Sequence, residues 1–179
     1  KVMEAEWLDA PTASFDGVLS RWGYMLLADP EAGLREARRV LRPGGRIALA
    51  VWDEISHNPW IGVLQDQLVA RGLAETPQLG TPGMFGLASP ELLRDLLEAA
   101  GFGEVAVEGL DFAFHAESLD AWWQHLMTVS ISLAEQLKGL APADHFKLRD
   151  AVDAGYAPYA GEDGRVRLPA RVLIASAEA

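Results

Sequence analysis

The amino-acid sequence predicts an α/β fold, in which a mostly parallel sheet carries helices on both faces. Two apolar runs with strand character, 15–20 and 46–52, flank a helical pattern, and 50% of the 179 residues are hydrophobic. Only 23% of the residues are charged, and no long polar tract interrupts the chain. A chain of this length and composition can bury one sizeable core, so residues 1–179 are predicted to form a single domain.

The first predicted strand covers Phe15–Ser20, a short apolar run closed by small polar residues, as in buried parallel strands. The following helix begins at Asp29, a good N-cap, and Pro30 occupies the first helical position, where no N–H is needed. Apolar residues then recur at helical spacing over 34–41. A Pro-Gly-Gly run at 43–45 ends this helix, because proline cannot continue it and paired glycines allow a tight reversal.

The remaining elements follow from the same rules. Arg46–Trp52 is a nearly continuous apolar strand, and Ser-Pro-Glu at 89–91 starts a later helix with a cap, a proline and an acid. Residues 53–88 contain one helix within a long excursion, and such insertions are usually functional. Further predicted elements are a helix ending at Gly101, a strand over 105–114, helices over 118–140 and 142–155, and a final strand over 165–176.

Charge and composition exclude several classes of function. The formal net charge of -11 would repel phosphate backbones, and the basic residues are dispersed, so no nucleic-acid partner is expected. The sequence contains no cysteine, no apolar run long enough to cross a bilayer and no basic-then-apolar leader. We therefore expect no membrane partner and a cytoplasmic location.

Several short motifs occur in a fixed order. Phe-Asp-Gly-Val at 15–18 precedes Ser-Arg-Trp-Gly-Tyr at 20–24, Asp-Pro at 29–30 and Arg-Val-Leu-Arg-Pro-Gly-Gly at 39–45. This combination resembles the central part of class I S-adenosylmethionine-dependent methyltransferases of the ubiquinone/menaquinone-biosynthesis kind (methyltransferase type 11), over roughly residues 4–114. The resemblance implies the C-terminal half of a Rossmann-like methyltransferase sheet, mostly parallel with an antiparallel last strand. Its strands would lie in the family order fourth, fifth, seventh, sixth.

The resemblance also implies a cofactor, S-adenosylmethionine, across the carboxyl ends of the strands. Residues 4–6 are similar to the family's Asp-Ala-Glu segment, where the acid and the adjacent backbone contact the adenine ring, although Glu4 is longer than the usual Asp. Residues 20–22 match the loop that passes beside the methionine portion of the cofactor. The predicted cofactor-binding residues are Glu4, Ala5, Ser20, Arg21 and Trp22.

The acceptor is predicted to be a small molecule, bound by Tyr24, Asn58, Trp60 and Phe85. Residues 53–88 and 118–160 are predicted to be insertions that cover the substrate as helical lids. For Trp60 and Phe85, the alternative is that they only anchor an insertion to the core. No catalytic residue is assigned, because methyl transfer depends mainly on positioning and desolvation. No metal site is expected, because no two histidines have ligand spacing on a helix.

One departure from the family bears on activity. The family carries an acid-x-G-x-G-x-G turn after its first strand, whose glycines let the backbone approach the cofactor, and no such motif occurs in these 179 residues. Two explanations stay open. In the first, the chain is a fragment of a longer methyltransferase and is expected to be inactive by itself. In the second, it is a non-catalytic binding or assembly module derived from a methyltransferase half-domain.

The predicted strand order has a further consequence. It leaves Phe15–Ser20 at an open edge, where the family's first strand would pair. An apolar parallel edge favours association. The expected partner is therefore an N-terminal segment of the same protein or a second copy of the chain, paired over this edge.

Overall fold

The structure, a computed structural model, describes residues 2–179. The chain forms two compact units. The first, here called the sheet unit, comprises Lys1–His57, Pro77–Asp111 and Arg171–Ala179. The second, the helical unit, comprises Asn58–Thr76 and Phe112–Ala170, and it contains most of both predicted insertions.

The strands form one four-stranded sheet in the order β1-β2-β4-β3. β1 and β2 are parallel, and β4 runs antiparallel to β2. This order, with its antiparallel last strand in sequence, confirms the predicted topology. The strands are β1 (Phe15–Arg21), β2 (Leu41–Trp52), β3 (Gly103–Ala116) and β4 (Val166–Glu178).

Two helices of the sheet unit begin as the capping patterns predict. In α1 (Pro30–Val40), the Asp29 carboxylate accepts a hydrogen bond from the Ala32 N–H at 2.8 Å. In α3 (Pro90–Ala99), the Ser89 hydroxyl oxygen accepts one from the Leu92 N–H at 3.2 Å. The apolar faces of the two helices pack against each other. Their fully buried positions include Leu34, Ala37, Val40, Leu93 and Leu97.

The Pro-Gly-Gly run differs from its prediction. It was expected to separate α1 from a strand starting at Arg46, but β2 begins already at Leu41. Phe15 pairs with Leu41 whereas Gly17 pairs with Arg46, so the residues between form a bulge opposite β1. Gly44 has a φ of 78°, and its N–H donates to the Ala179 carbonyl at 3.1 Å. Backbone pairing with the C-terminus thus extends the strand through the glycines.

The helical unit contains α2 (Pro59–Ala70), α4 (Leu119–Val129), α5 (Ile131–Lys138) and α6 (Pro142–Tyr156). The single helix predicted over 118–140 is broken at Ser130, whose ψ of 89° is not helical. The Ser130 N–H donates to the Leu126 carbonyl at 3.1 Å, and its hydroxyl oxygen accepts from the Leu133 N–H at 3.4 Å. One serine therefore ends α4 and caps α5. Along residues 2–179, no helix combines the length and the apolar character needed to span a bilayer.

One face of the sheet unit is better covered than the other. Ile47, Leu49 and Val51 alternate along β2 and are buried. In contrast, the side chain of Leu19 on β1 is 87% exposed and that of Ile174 on β4 is 36% exposed. β1 is also the end strand of the sheet. Within residues 2–179, the predicted open edge is present.

Candidate active site

The chain turns sharply where β1 ends. Trp22 follows Arg21 with a φ of 58°, in the left-handed region, and its N–H donates to the Ala50 carbonyl of β2 at 2.8 Å. A bulky residue in this conformation costs about 1–3 kcal/mol, so its surroundings must hold it there. Such outliers are enriched at functional sites.

The Trp22 side chain ties the ends of the two parallel strands together. Its ring stacks on that of Trp52, the last residue of β2, with 5.0 Å between ring centroids and 8° between planes. The guanidinium carbon of Arg21 lies 4.8 Å from the Trp22 ring centroid. The carboxyl ends of β1 and β2 therefore share one partly exposed aromatic surface, at the edge where open α/β sheets bind ligands.

Residues 4–8 lie along the start of α1. The Glu6 carboxylate accepts a hydrogen bond from the Asp29 N–H at 2.8 Å, and the Leu8 N–H donates to the Glu36 carboxylate at 2.9 Å. The pKa of Glu36 is lowered, mainly by its hydrogen bond with Arg39. The Glu4 side chain is exposed. These contacts fix the segment without using Glu4, which stays accessible to a ligand.

Ala5 and Tyr24 both lie close to Gly33 of α1. A Cβ at this glycine would lie 3.2 Å from the Tyr24 ring and 3.7 Å from the Ala5 carbonyl oxygen. The Tyr24 hydroxyl donates to the Gly33 carbonyl at 3.2 Å. Burial raises the pKa of Tyr24 to about 12, so this side chain is a neutral, already engaged donor. Tyr24 thus lies in the core of the sheet unit and is hydrogen-bonded to α1.

Ser20 and Phe85 also belong to the sheet unit. Ser20 is half-buried, and a Cβ at Gly23 would lie only 2.9 Å from its hydroxyl oxygen, so the loop folds tightly back on the strand end. Phe85 is 7% exposed and belongs to the core. Its segment is attached to the same loop, since the Gly83 N–H donates to the Met25 carbonyl at 2.9 Å.

Asn58 and Trp60 lie in the helical unit, inside a buried aromatic cluster. The fully buried Asn58 accepts a hydrogen bond from the Trp60 indole N–H at 3.0 Å. The Tyr156 hydroxyl donates to the Trp60 carbonyl at 2.7 Å, and burial raises the pKa of Tyr156. The Trp60 ring lies 5.0 Å from Phe114 and 6.5 Å from Trp122. The four predicted acceptor residues are therefore divided between the two units.

Sequence reasoning missed a polar group at the end of β2. Asp53, 4% exposed, directly follows the strand, and its Oδ2 lies 2.9 Å from Nε of Arg171 and 3.2 Å from Nδ1 of His57. A short 3-10 helix, Ile55–His57, brings the imidazole back onto the carboxylate. An Asp-x-x-x-His sequence immediately after an apolar strand was the signal available for this pair.

A second carboxylate completes this group. Both terminal oxygens of Asp111 lie 2.8 Å from one guanidinium nitrogen of Arg171. The pKa of Arg171 is raised, first by the hydrogen bond with Asp111 and then by Asp53. Across residues 2–179, no group of three or more His, Cys, Asp or Glu side chains is placed to hold a metal ion.

Comparison with known proteins gives partial matches to methyltransferases. Residues 1–49 match the family model described as a methyltransferase domain. Over 101 residues the chain is 33% identical to the methyltransferase ucsB of an Acremonium species, covering 54% of this chain and 32% of the relative. Over 119 residues it is 29% identical to the ubiquinone/menaquinone biosynthesis C-methyltransferase UbiE of Bordetella avium (strain 197N), covering 58% and 44%. The match thus spans less than half the length of either relative.

The fold agrees with these matches. The crystal structure of a candidate methyltransferase from Bacillus halodurans C-125 aligns with a TM-score of 0.57, at 14% identity, over 98% of this chain and 75% of that chain. The sheet is accordingly a Rossmann-like methyltransferase sheet. The resemblance to class I S-adenosylmethionine-dependent methyltransferases of the UbiE kind, inferred from the sequence motifs, is confirmed.

Proposed function

We propose that this protein takes part in methyl transfer from S-adenosylmethionine to a small-molecule acceptor, with its site at the carboxyl ends of β1 and β2. The observations that carry the proposal are the approach of Ala5 and Tyr24 to Gly33 and the Trp22–Trp52 stack at the strand ends. Ligands of open α/β sheets bind at this edge. The family match supports the reaction class, and it includes residues 4–6 and 20–24.

The residues at these strand ends fit part of the cofactor. The exposed Glu4 carboxylate and the Ala5 backbone offer hydrogen-bonding groups to an adenine ring. Arg21 is exposed and has no carboxylate partner within residues 2–179, so its guanidinium is available to the carboxylate of the methionine portion. The Trp22 indole N–H is buried without a hydrogen bond among the same residues. The fit is incomplete, because the acid-x-G-x-G-x-G turn does not occur in this sequence.

The roles of the chain's own residues follow from this placement. When bound, the cofactor supplies an electrophilic methyl group. Glu4, Ala5, Ser20, Arg21 and Trp22 would bind and orient it, and the aromatic stack would exclude water from one side. Tyr24 would hold α1 against the loop. Phe85 is buried in the sheet unit, whereas Asn58 and Trp60 are buried in the helical unit, and we propose that each supports the packing of its own unit.

Calorimetric titration of S-adenosylhomocysteine tests this proposal. We would titrate the 179-residue chain alone, and the same chain fused behind a methyltransferase segment that carries the acid-x-G-x-G-x-G turn. We expect a Kd in the micromolar range, about -8 kcal/mol, for the fusion and no measurable binding for the chain alone. The matched control is the fusion with Arg21→Ala. Two results would contradict the proposed cofactor-binding surface at residues 4–6 and 20–22. One is a folded fusion that does not bind S-adenosylhomocysteine, and the other is an Arg21→Ala fusion that binds it unchanged.

A second candidate function is a non-catalytic binding or assembly module. The open edge of β1 and the exposed Leu19 and Phe15 favour it, because a parallel edge strand with apolar side chains presents unpaired backbone groups and apolar area to a partner. In either function, we propose that the edge pairs with an N-terminal segment of the same protein or with a second copy of the chain.

Light scattering at several concentrations tests the pairing. We expect the 179-residue chain to dimerise, and Leu19→Lys to weaken the dimer because it places a charge on the 87% exposed position of β1. Leu26→Lys is the matched control, since Leu26 is also exposed in the sheet unit but lies outside the strand. A monomer at all concentrations would contradict self-pairing and leave the N-terminal segment as the proposed partner.

A further inference from the structure

The pair formed by Asp53 and His57 lies at the same edge as the proposed methyl-transfer site. Trp52 stacks on Trp22, and Asp53 is the next residue along the chain. The side chain of Asp53 is 6% exposed, whereas that of His57 is 52% exposed. A buried carboxylate therefore holds an imidazole that a small molecule can reach.

The hydrogen bonds determine which nitrogen faces outward. Asp53 lies 3.2 Å from Nδ1 of His57, so a neutral imidazole directs its Nδ1–H at the carboxylate and keeps the proton acceptor on Nε2. A base of this kind, oriented by a carboxylate, is a recurring arrangement for removing a proton.

The buried Asp53 carboxylate has hydrogen-bond donors other than the imidazole. One carboxylate oxygen already accepts a hydrogen bond from the Glu54 N–H at 2.8 Å, and the other accepts one from Arg171 at 2.9 Å. Asp53 is thus hydrogen-bonded on both oxygens without His57. The additional contact orients the histidine.

The charged groups around the imidazole have a net negative charge. Asp53 and Asp111 carry two negative charges, and Arg171 between them carries one positive charge. The three groups therefore present a net charge of about -1 beside His57. Asp111 is 74% exposed, so water and salt screen its share. Glu54, the neighbouring acid, is exposed and adds to the same sign.

We infer that His57 is the proton acceptor of the methyl-transfer site, and that Asp53 is its positioning residue; this rests on the proposed function. The acceptor class follows: a small molecule with an ionisable hydroxyl, such as a phenol or an enol. Its hydroxyl proton moves to Nε2 of His57, the oxygen forms a bond to the methyl carbon, and the electron pair of the broken carbon–sulfur bond stays on sulfur. The imidazolium then releases its proton to water.

Ionisation of 4-nitrophenol by the 179-residue chain tests this inference directly. The phenolate absorbs at longer wavelength than the phenol, so deprotonation is visible without any cofactor. At a pH below the pKa of the free phenol, we expect the wild-type chain to raise the phenolate fraction of the bound probe. His57→Gln should lower that signal about tenfold, equivalent to about one pKa unit. Asp53→Asn should lower it less, because the base remains but is less well oriented.

His115→Gln is the matched control. His115 is an exposed histidine of the helical unit, and its removal should leave the phenolate signal unchanged. Circular dichroism of each variant checks that it is folded. A phenolate signal that is absent in the wild type, or equal in wild type and His57→Gln, overturns the inference.

The outcome is separable from that of the proposed function. The ionisation of 4-nitrophenol needs no cofactor. If it is observed but S-adenosylhomocysteine does not bind, His57 is supported as a base and the methyl-transfer proposal is contradicted. Conversely, the fusion can bind the cofactor while 4-nitrophenol ionisation does not depend on His57. That result supports the methyl-transfer proposal and contradicts the roles inferred for His57 and a hydroxyl-bearing acceptor.

Discussion

Aromatic residues form a cluster in each unit, and the two clusters have different surroundings. In the sheet unit, Trp22 and Trp52 stack face to face at the strand ends, and Trp22 is partly exposed. In the helical unit, Trp60, Trp122 and Tyr156 meet at edge-to-face angles and are at most 7% exposed. The first cluster borders solvent beside a charged group, and the second is buried.

The difference teaches that aromatic content alone does not locate a site. Each unit contains one indole nitrogen, in Trp22 and in Trp122, that is buried without a hydrogen bond within residues 2–179. Trp122 is 2% exposed and no small molecule reaches it without opening the core, whereas part of the Trp22 side chain reaches the surface. We therefore propose that the sheet unit binds the ligand and that the cluster of the helical unit contributes to stability.

The largest expected effect is that of Trp122→Ala. Removing this fully enclosed ring leaves a cavity among Phe114, His125 and Tyr156, and such substitutions cost about 3–5 kcal/mol. Urea denaturation of the 179-residue chain measures the loss. A variant that loses less than about 1 kcal/mol would place Trp122 at an accessible surface and break the distinction between the two clusters.

Tyr156→Phe should have an intermediate effect. The variant removes the hydroxyl that donates to the Trp60 carbonyl at 2.7 Å, and the loss of one such hydrogen bond costs about 0.5–1.5 kcal/mol. Because burial raises the pKa of Tyr156, the hydroxyl stays protonated and the loss should not vary between pH 6 and pH 9. Tyr159→Phe, on the less buried neighbour, is the control and should be close to neutral. Equal losses in the two variants would contradict the assignment.

Trp22→Phe should have the smallest effect on stability. The phenyl ring keeps most of the stacking on Trp52, and the lost indole N–H makes no hydrogen bond within residues 2–179, so the free energy of unfolding should change by less than about 1 kcal/mol. Binding of S-adenosylhomocysteine to the fusion protein should weaken by about tenfold, equivalent to 1.4 kcal/mol. A large stability loss with unchanged binding would make Trp22 a core residue like Trp122.

Local sequence signals predicted most of the fold. The caps at Asp29 and Ser89 start helices as expected, and the family motifs gave the strand order that the sheet has. Two predicted details were wrong, one because of a tertiary contact and the other because a serine interrupts a helix locally. The strand start at Arg46 missed the pairing of Gly44 with the C-terminal residue, and the long helix over 118–140 missed the break at Ser130.

The candidate site was less predictable than the fold. Residues 4–6 and 20–22 could be selected by their match to family motifs, and whether they bind the cofactor stays a prediction. The Asp53–His57 pair and its partner Arg171 escaped notice, because Asp53 and Arg171 are 118 positions apart and meet only through the antiparallel register of β2 and β4. Pairing across a sheet is set by the whole fold and not by local sequence.

The most direct test of the proposed cofactor-binding surface at residues 4–6 and 20–22 is to map the binding of S-adenosylhomocysteine by NMR. The experiment uses the isotopically labelled fusion protein at saturating ligand. Our account predicts that the amide shift changes within residues 1–179 concentrate at 4–6 and 20–22. Changes that instead concentrate around Trp60, Trp122 and Tyr156, or bypass residues 1–179 while the ligand is bound, would contradict it.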